Sequence, residues 1–274
     1  MEAHLDVELS KFRAQISEAL AEGGTQPLTR LTDEELAVLD PQETFIPQPH
    51  LSGMNKQQRE WVMAAALRSL VSREVVEILN IEELEAVLRD GSETQVDMRI
   101  RMDVDLALTL RRTADRALAV KQESANGTAF GYVHIHAADL LLVERITAGG
   151  LHLFTLADTV QDVVKLVQPL VDPFGVADRD GKSLSLDPSA LDRDHVGPLA
   201  SVIDNARIVG QLVLLSDPPG PMMTTYATDR AVWAVELDTP HASTGVTARP
   251  VSATSLSRHI TRMLSTGNLE TRHA

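Results

Sequence analysis

The chain has 274 residues, of which 43% are hydrophobic, which is enough for one large core or two moderate ones and excludes a disordered protein. Its 25 basic and 39 acidic residues give a formal net charge of -14, and without cysteine it has no disulfide, thiolate zinc site or cysteine nucleophile. The first 100 residues carry 9 basic against 19 acidic residues, a balance of -10, which disfavours nucleic-acid binding by this acidic protein. Its apolar runs are much shorter than the roughly 20 residues of a bilayer-spanning helix, and the acidic N-terminus lacks a signal-peptide layout. We therefore expect a soluble, cytoplasmic protein without membrane insertion.

The N-terminal segment has the pattern of an amphipathic helix. Its apolar residues recur at helical spacing and are followed by Gly23 and Gly24, which favour a C-terminal stop: Leu5, Leu9, Phe12, Ile16 and Leu20. We expect this helix, over Ala3 to Glu22, to dock on the body of the protein. Residues 1–27 are accordingly set apart from one α+β domain over residues 28–274.

Three further helices are predicted before residue 90. Thr32 and Glu35 form a capping box, which predicts a helix over Asp33 to Leu39. Asn55 to Val71 has the widest apolar stripe and predicts a core helix, and a capped helix over Asn80 to Leu88 follows. Residues 32–88 also fit a winged-helix module, so a transcription regulator stays open as an alternative, although the many exposed glutamates there oppose contact with phosphates.

Thr94 to Thr155 contains at least four segments that alternate apolar and polar residues, the pattern of half-buried antiparallel strands. The first is built on Val96, Met98, Ile100 and Met102. Asn126 and Gly127 separate two later strands, and Asn-Gly favours a tight hairpin. The segment therefore predicts a meander.

His134 and His136 share one face of a predicted strand, with Asp139 close behind, and form the best metal-ligand candidate. A metal-dependent enzyme is therefore a second alternative. The row of Tyr132, His134 and His136 equally fits a partly exposed sheet surface that contacts another protein, which we prefer. We predict no bound metal and no cofactor.

The C-terminal part repeats the order of strands followed by a helix. An amphipathic helix over Val160 to Leu170 is predicted, and a final helix is capped by Ser252. Between them, a second strand group is predicted over Ile208 to Leu215, Met223 to Thr228 and Val232 to Leu237. The expected fold class is α+β, with antiparallel sheets flanked by helices, in which Thr94 to Leu170 is echoed by Ile208 to Leu264. The halves of this pseudo-repeat would be residues 28–172 and 173–274. The sequence has no Walker loop, dinucleotide fingerprint or nucleophile elbow, so we predict a protein that is not an enzyme.

Short segments along residues 28–265 carry a likeness to a known family. They include the helix Gln57 to Arg73, the strand Gln95 to Arg101, the extended Gly181 to Pro188, Ala206 to Val213 and the terminal Pro250 to Leu264. In this layout the chain resembles the EspG proteins, cytoplasmic chaperones associated with actinobacterial type VII secretion.

The resemblance implies non-catalytic protein binding, with a secreted PPE-type or other helical substrate as the partner; a homodimer is left open. A chaperone site should present apolar residues rimmed by polar ones on a sheet surface. The candidate partner-binding residues lie on the first hairpin of the meander and the strand after it: Ala125, Asn126, Gly127, Phe130, Tyr132 and His134.

Overall fold

The computed structural model describes residues 12–41, 46–82, 97–136, 140–186, 199–217, 219–237 and 246–266. The helices in these ranges are α1 (Arg13–Ala19), α2 (Asp33–Leu39), α3 (Lys56–Ser72), α4 (Met102–Thr113), α5 (Val160–Val171), α6 (Ala200–Asp204) and α7 (Ala253–Ser265). The strands are β1 (Thr25–Thr32), β2 (Val76–Ile78), β3 (Met98–Ile100), β4 (Arg116–Ser124), β5 (Gly127–Ile135), β6 (Leu141–Ile146), β7 (Leu151–Ala157), β8 (Leu184–Leu186), β9 (Ile208–Leu215), β10 (Met222–Ala227), β11 (Val232–Leu237) and β12 (Val246–Val251).

Ten of these strands form one antiparallel sheet in the order β1-β7-β6-β5-β4-β9-β10-β11-β12-β8. The sheet has two similar halves that meet where β4 pairs with β9. Each half is a meander of four consecutive strands, β4 to β7 or β9 to β12. A strand from earlier in the chain, β1 or β8, pairs with the last strand of each meander and forms the outer edge. Each meander is followed by a long helix, α5 or α7. The predicted α+β class, with an antiparallel sheet flanked by helices, is confirmed. The boundaries at residues 27 and 172 stay predictions.

The first face of the sheet is covered by α5 and α7. Their valine- and leucine-rich sides pack on inward-pointing residues of both meanders, such as Leu118, Val133, Leu212 and Ala234, in one continuous cluster. Val163, Val167 and Ile260 lie at its centre and are at most 1% exposed. One apolar core therefore spans both halves.

Among the described residues, helices cover the second face of the sheet in two places, and Ile46 covers part of β5 and β6 beside them. Over β1, β6 and β7, helices α2 and α4 with the end of α3 bury residues such as Leu31, Leu106 and Phe154. Over β11 and β12, the short α6 buries Val202 against Val235. The strands between these two covered areas, β4, β9 and β10, lie at the centre of the sheet.

The prediction that the meander begins with the strand at Val96 to Met102 is wrong. Met98–Ile100 forms a three-residue strand that pairs with β2 in a separate two-stranded sheet, and α4 follows at once. No helix was predicted there, and Val104, Leu106, Leu108 and Leu110 of this helix alternate as they would in a strand. Helix α4 is buried on nearly all sides, Ala107 and Thr109 included, so its apolar residues do not follow the 3.6-residue period that marks a one-sided helix.

Helix α3 begins and ends close to the predicted residues, with a capping box between Asn55 and Gln58, but it is not a core helix. Only Ala66 and Leu70 are buried, and Trp61 is 65% exposed. At the N-terminus, Phe12 of the predicted docking stripe is buried, and Ile16 and Leu20 pack against the same cluster. None of the helices in the ranges given above is long and apolar enough to cross a membrane.

Candidate partner-binding surface

The register of the central strands brings six side chains together on the second face. Lys121 of β4 pairs with Gln211 of β9, which pairs with Thr224 of β10, and two residues along each strand a second row does the same. Because directly paired residues point to the same side of a sheet, these two rows form one patch. We call it the central strip: Ala119, Lys121, Gln211, Val213, Met222 and Thr224.

The central strip is accessible, unlike the first face under it. Gln211 is exposed and the other five residues are half-buried, whereas Leu212 and Met223, which point to the first face between them, are buried. Val213, Met222 and Ala119 give the strip an apolar row, and Lys121, Gln211 and Thr224 give it a polar row. The strip therefore has the composition of a docking surface rather than of a core.

The two covered areas flank the central strip. On one side, Phe130 packs with Ile46 and Ile146 in a small cluster under the β4–β5 hairpin. On the other side, Tyr226 and Trp233 pack against the cluster that α6 covers. A partner that lies on the strip would meet aromatic side chains at both margins.

The hairpin residues proposed from the sequence lie at one margin of the strip. Asn126, Gly127 and Phe130 line a groove of about 560 Å³, together with Lys121 of the strip and with Pro47, Gln48, Pro49, Ser52, Thr128 and Ala148. Ala125 is exposed in the turn. The turn itself is one residue earlier than expected: Ser124 pairs with Gly127, so Ala125 and Asn126 are the central residues and Gly127, with φ of 113°, begins β5. The Ser124 hydroxyl stabilises this turn by accepting from the Asn126 N–H.

Tyr132 and His134 do not form the exposed face that the sequence predicted. They are only 5% and 2% exposed, because Tyr132 packs with Ile46 and Ile146 and His134 lies against the buried Glu144. Burial raises the pKa of Tyr132 to about 12, with the negative charge of Glu144 adding to the effect. Of the six proposed residues, the four on the hairpin and in the groove are therefore accessible to a partner, and their role in binding stays a proposal.

His134 is instead part of a buried charged network that the sequence analysis missed. Its Nε2 lies 2.9 Å from Oε2 of Glu144, which also accepts from Arg111 Nε at 3.2 Å. Arg111 Nη1 donates to Asp40 at 2.9 Å, so the network joins α2, α4 and the sheet. A single glutamate at a core position of β6 was its one sequence signal, since a strand that is buried on both faces does not carry a lone charge without partners.

His152 completes the network between two carboxylates. Its Nδ1 lies 2.7 Å from Glu144 Oε1 and its Nε2 lies 2.7 Å from Asp33 Oδ1, and all three side chains are fully buried. Ionised carboxylates only accept hydrogen bonds, so when both of them are charged the imidazole donates from both ring nitrogens. Burial opposes this charge, but the hydrogen bonds to Asp33 and Glu144 outweigh it and raise the pKa of His152. Burial likewise opposes the charge of Glu144, and the hydrogen bonds from His134 and His152 overcome it and lower the pKa of Glu144.

The metal alternative finds no support in this arrangement. His134 is committed to Glu144, and His136 Nε2 donates to the Leu110 carbonyl at 2.9 Å. Asp139 lies outside the described residues. Within the residues that the structure does describe, no group of three or more His, Asp and Glu side chains is arranged to hold a metal ion.

The winged-helix alternative for residues 32–88 has no structural support either. Helices α2 and α3 pack together on the ten-stranded sheet, and the strand after Val75 pairs with β3 rather than with a neighbouring wing strand. Residues 83–88 of this segment lie outside the described ranges. Within the described part of residues 32–88, the fold offers no feature that favours DNA binding.

Comparison with known proteins places this architecture in a class. No family model matches the chain, and no curated protein matches it at the level of sequence. Among solved structures, it is similar over 87% of its length to a type VII secretion chaperone, covering 96% of that protein with a TM-score of 0.51 and 8% sequence identity. That protein is EspG5 of Mycobacterium tuberculosis, whose structure was solved in complex with a PE25–PPE41 dimer. The chain therefore has an EspG-like fold.

Proposed function

We propose that this chain is a non-catalytic chaperone that binds a helical, PPE-type substrate of a type VII secretion system in the cytoplasm before export. The observation that carries the proposal is the accessible central strip on a sheet whose fold is similar, over 87% of this chain, to a chaperone that was solved in complex with a PE25–PPE41 dimer. The membership in the EspG family that the sequence implies is part of this proposal.

The physical basis is the burial of a half-exposed apolar row. Every interior strand of the sheet has its backbone paired on both sides, so the central strip offers side chains and no unpaired amides to a partner. A helical tip with apolar residues would cover Val213, Met222 and Ala119, and Lys121 and Gln211 beside them would bind polar groups at its rim. The groove at Phe130 would take one anchoring side chain.

The test is complex formation with the PE–PPE pairs that are encoded in the same genome. Each pair is co-expressed with this chain, and size-exclusion chromatography with titration calorimetry measures stoichiometry and affinity. Val213→Asp places a charge in the apolar row, and we expect it to weaken binding by about 30-fold or more, the range of an interface hot spot.

Arg68→Glu is the matched control, because Arg68 is exposed on α3 and outside the central strip. It should leave the affinity unchanged. Thermal unfolding of both variants separates a binding defect from a folding defect, and Gln211→Arg, at the exposed position of the strip, provides a second variant with little risk to folding. If the strip variants bind a pair with the same affinity as the unchanged protein, the central strip is not the binding surface. If the protein binds none of the pairs, the proposed function is wrong.

A further inference from the structure

The outer edge of the ten-stranded sheet at β1 carries a second surface, separate from the central strip. β1 is the terminal strand of the sheet, and along Pro27 to Arg30 it borders a groove of about 420 Å³. The groove is lined by apolar side chains from β1, β7 and the end of α3, including Leu28, Val75 and Leu153. It is an apolar slot beside a strand edge to which no other described strand pairs.

Three arginines from three different segments line this groove. Arg30 projects from β1, Arg73 follows α3, and Arg101 precedes α4. Arg73 is 46% exposed and is held by Glu35, with Nη2 at 2.6 Å from Oε1; Arg101 is also 46% exposed and forms a two-point contact with Asp103. Across the parts of the chain that the structure describes, Arg30 has no carboxylate within salt-bridge distance. The charges of Arg73 and Arg101 are thus balanced by Glu35 and Asp103, and Arg30 is the arginine of this groove whose charge no described carboxylate balances.

The charge along β1 changes sign towards its N-terminal end. The next groove, at Thr25 to Leu28, is bordered by Glu18, Glu22 and Asp103. A ligand with carboxylates is therefore attracted at the Arg30 end and repelled at the Thr25 end. Pro27, which has no N–H, and the irregular register between Pro27 and Thr29 also limit strand pairing at that end. The usable edge is the short stretch from Leu28 to Leu31, because the Thr32 N–H already donates to Glu35 Oε2.

We infer that the β1 edge binds a short extended peptide segment of a protein partner, in which apolar side chains alternate with carboxylates. The backbone of the segment would pair with the outer edge of β1, as in other cases of strand addition. Its apolar side chains would enter the slot at Leu28 and Val75, and its carboxylates would meet Arg30 and the remaining donors of Arg73. A nucleic acid fits less well, because the slot is small and apolar and acidic groups border it.

The experiment is a selection of random dodecapeptides displayed on phage against the whole protein. We expect enrichment of sequences with acidic and apolar residues at alternate positions. Selection against Arg30→Glu should lose this class of sequence, whereas Arg68→Glu, which makes the same charge change on the exposed side of α3, should retain it.

The best peptide is then measured by fluorescence polarisation. We expect at least a tenfold loss of affinity for Arg30→Glu, and a similar loss when alternate amides of the peptide are N-methylated, because that removes strand pairing without touching the protein. Single-stranded DNA with the same net charge as the peptide is measured in the same assay, as the alternative class of ligand. Equal enrichment on wild type and Arg30→Glu, insensitivity to N-methylation, or tighter binding of the DNA would each overturn the inference. Since Arg30 lies outside the central strip, these outcomes are independent of the substrate-binding test.

Discussion

At the scale of single residues, the buried imidazolium of His152 couples folding to protonation. Its pKa is raised in the folded protein, so its contribution to stability is full below the unfolded value of 6.5 and is lost as pH rises through the folded pKa. The pKa of Glu144 is lowered in the folded protein, so its contribution to stability is full above the unfolded value of 4.5. That contribution is lost as the pH falls towards the folded pKa of Glu144. We expect the free energy of unfolding, measured by urea denaturation from about pH 2 to pH 10, to be highest between pH 4.5 and pH 6.5 and to decline on both sides of this range.

His152→Gln tests which group causes the alkaline decline. The variant should be less stable at pH 6, because Asp33 and Glu144 lose their shared donor, and the decline above pH 6.5 should become shallower. His50→Gln is the control, since His50 has a 57% exposed side chain outside the network and its backbone contact to Asp33 is preserved. An alkaline decline of unchanged slope in His152→Gln would contradict the assignment.

Gly150 packs against the same network and shows how a single atom can disturb it. Its φ is 70°, and a Cβ there would lie 2.7 Å from Oδ2 of Asp33, whereas Gly24, with φ of 83°, has nothing within 4 Å of the same position. Both Gly→Ala changes carry the cost of left-handed backbone, about 1–2 kcal/mol. Thermal and urea unfolding should show a clearly larger loss for Gly150→Ala than for Gly24→Ala. Equal losses would mean that Asp33 moves aside without cost.

At the scale of elements, helix N-caps were the features that the sequence predicted most directly. The box of Thr32 and Glu35 predicted the start of α2, and the structure shows both of its bonds, Glu35 N to Thr32 Oγ1 at 3.3 Å and Thr32 N to Glu35 Oε2 at 3.1 Å. The same glutamate also accepts from Ser69 and Arg73 of the α3 region, which no local pattern shows. Local hydrogen bonds can be read from residue spacing, but contacts between distant elements cannot.

Thr32→Ala should therefore cost about 1–2 kcal/mol of unfolding free energy, at the upper part of the range for N-caps, because Glu35 loses one of the groups that orient it. Thr32→Ser keeps the hydroxyl and serves as the control. Urea denaturation of the two variants measures the difference. If Thr32→Ser is as destabilising as Thr32→Ala, packing of the threonine methyl group rather than the cap accounts for the cost.

At the scale of the whole molecule, periodicity identified most sheet strands but not which strands pair. Ile208–Leu215, Met222–Ala227 and Val232–Leu237 lie within a residue of the predicted segments, yet the pairing of β4 with β9 that joins the halves is a contact between residues almost 100 positions apart. This pairing also forms the central strip, which is why the sequence analysis located only its margin at the hairpin. The strip residues Gln211, Val213 and Met222 alternate with buried neighbours, and that alternation was the available signal.

The β4–β9 pairing decides whether the two halves unfold together. It extends from Ala117↔Leu215 to Ser124↔Ile208, and the core under α5 and α7 is continuous across it. A boundary between independent units needs few contacts across it, and here the densest packing crosses the middle of the sheet. We therefore expect residues 28–274 to unfold in one cooperative thermal transition. Calorimetry and far-ultraviolet circular dichroism should give the same midpoint temperature for it.

Leu212→Ala tests this cooperativity at the centre. Leu212 is fully buried on β9, opposite Val120, so the change should cost about 2–5 kcal/mol through lost burial and a cavity. If the halves are one unit, the single transition moves to lower temperature as a whole. Native-state hydrogen exchange should then be slowest in β4 and β9 and fastest in β1 and β8. Two separated transitions in the variant, with only residues 173–274 losing protection, would instead show that the halves at 28–172 and 173–274 fold as separate domains.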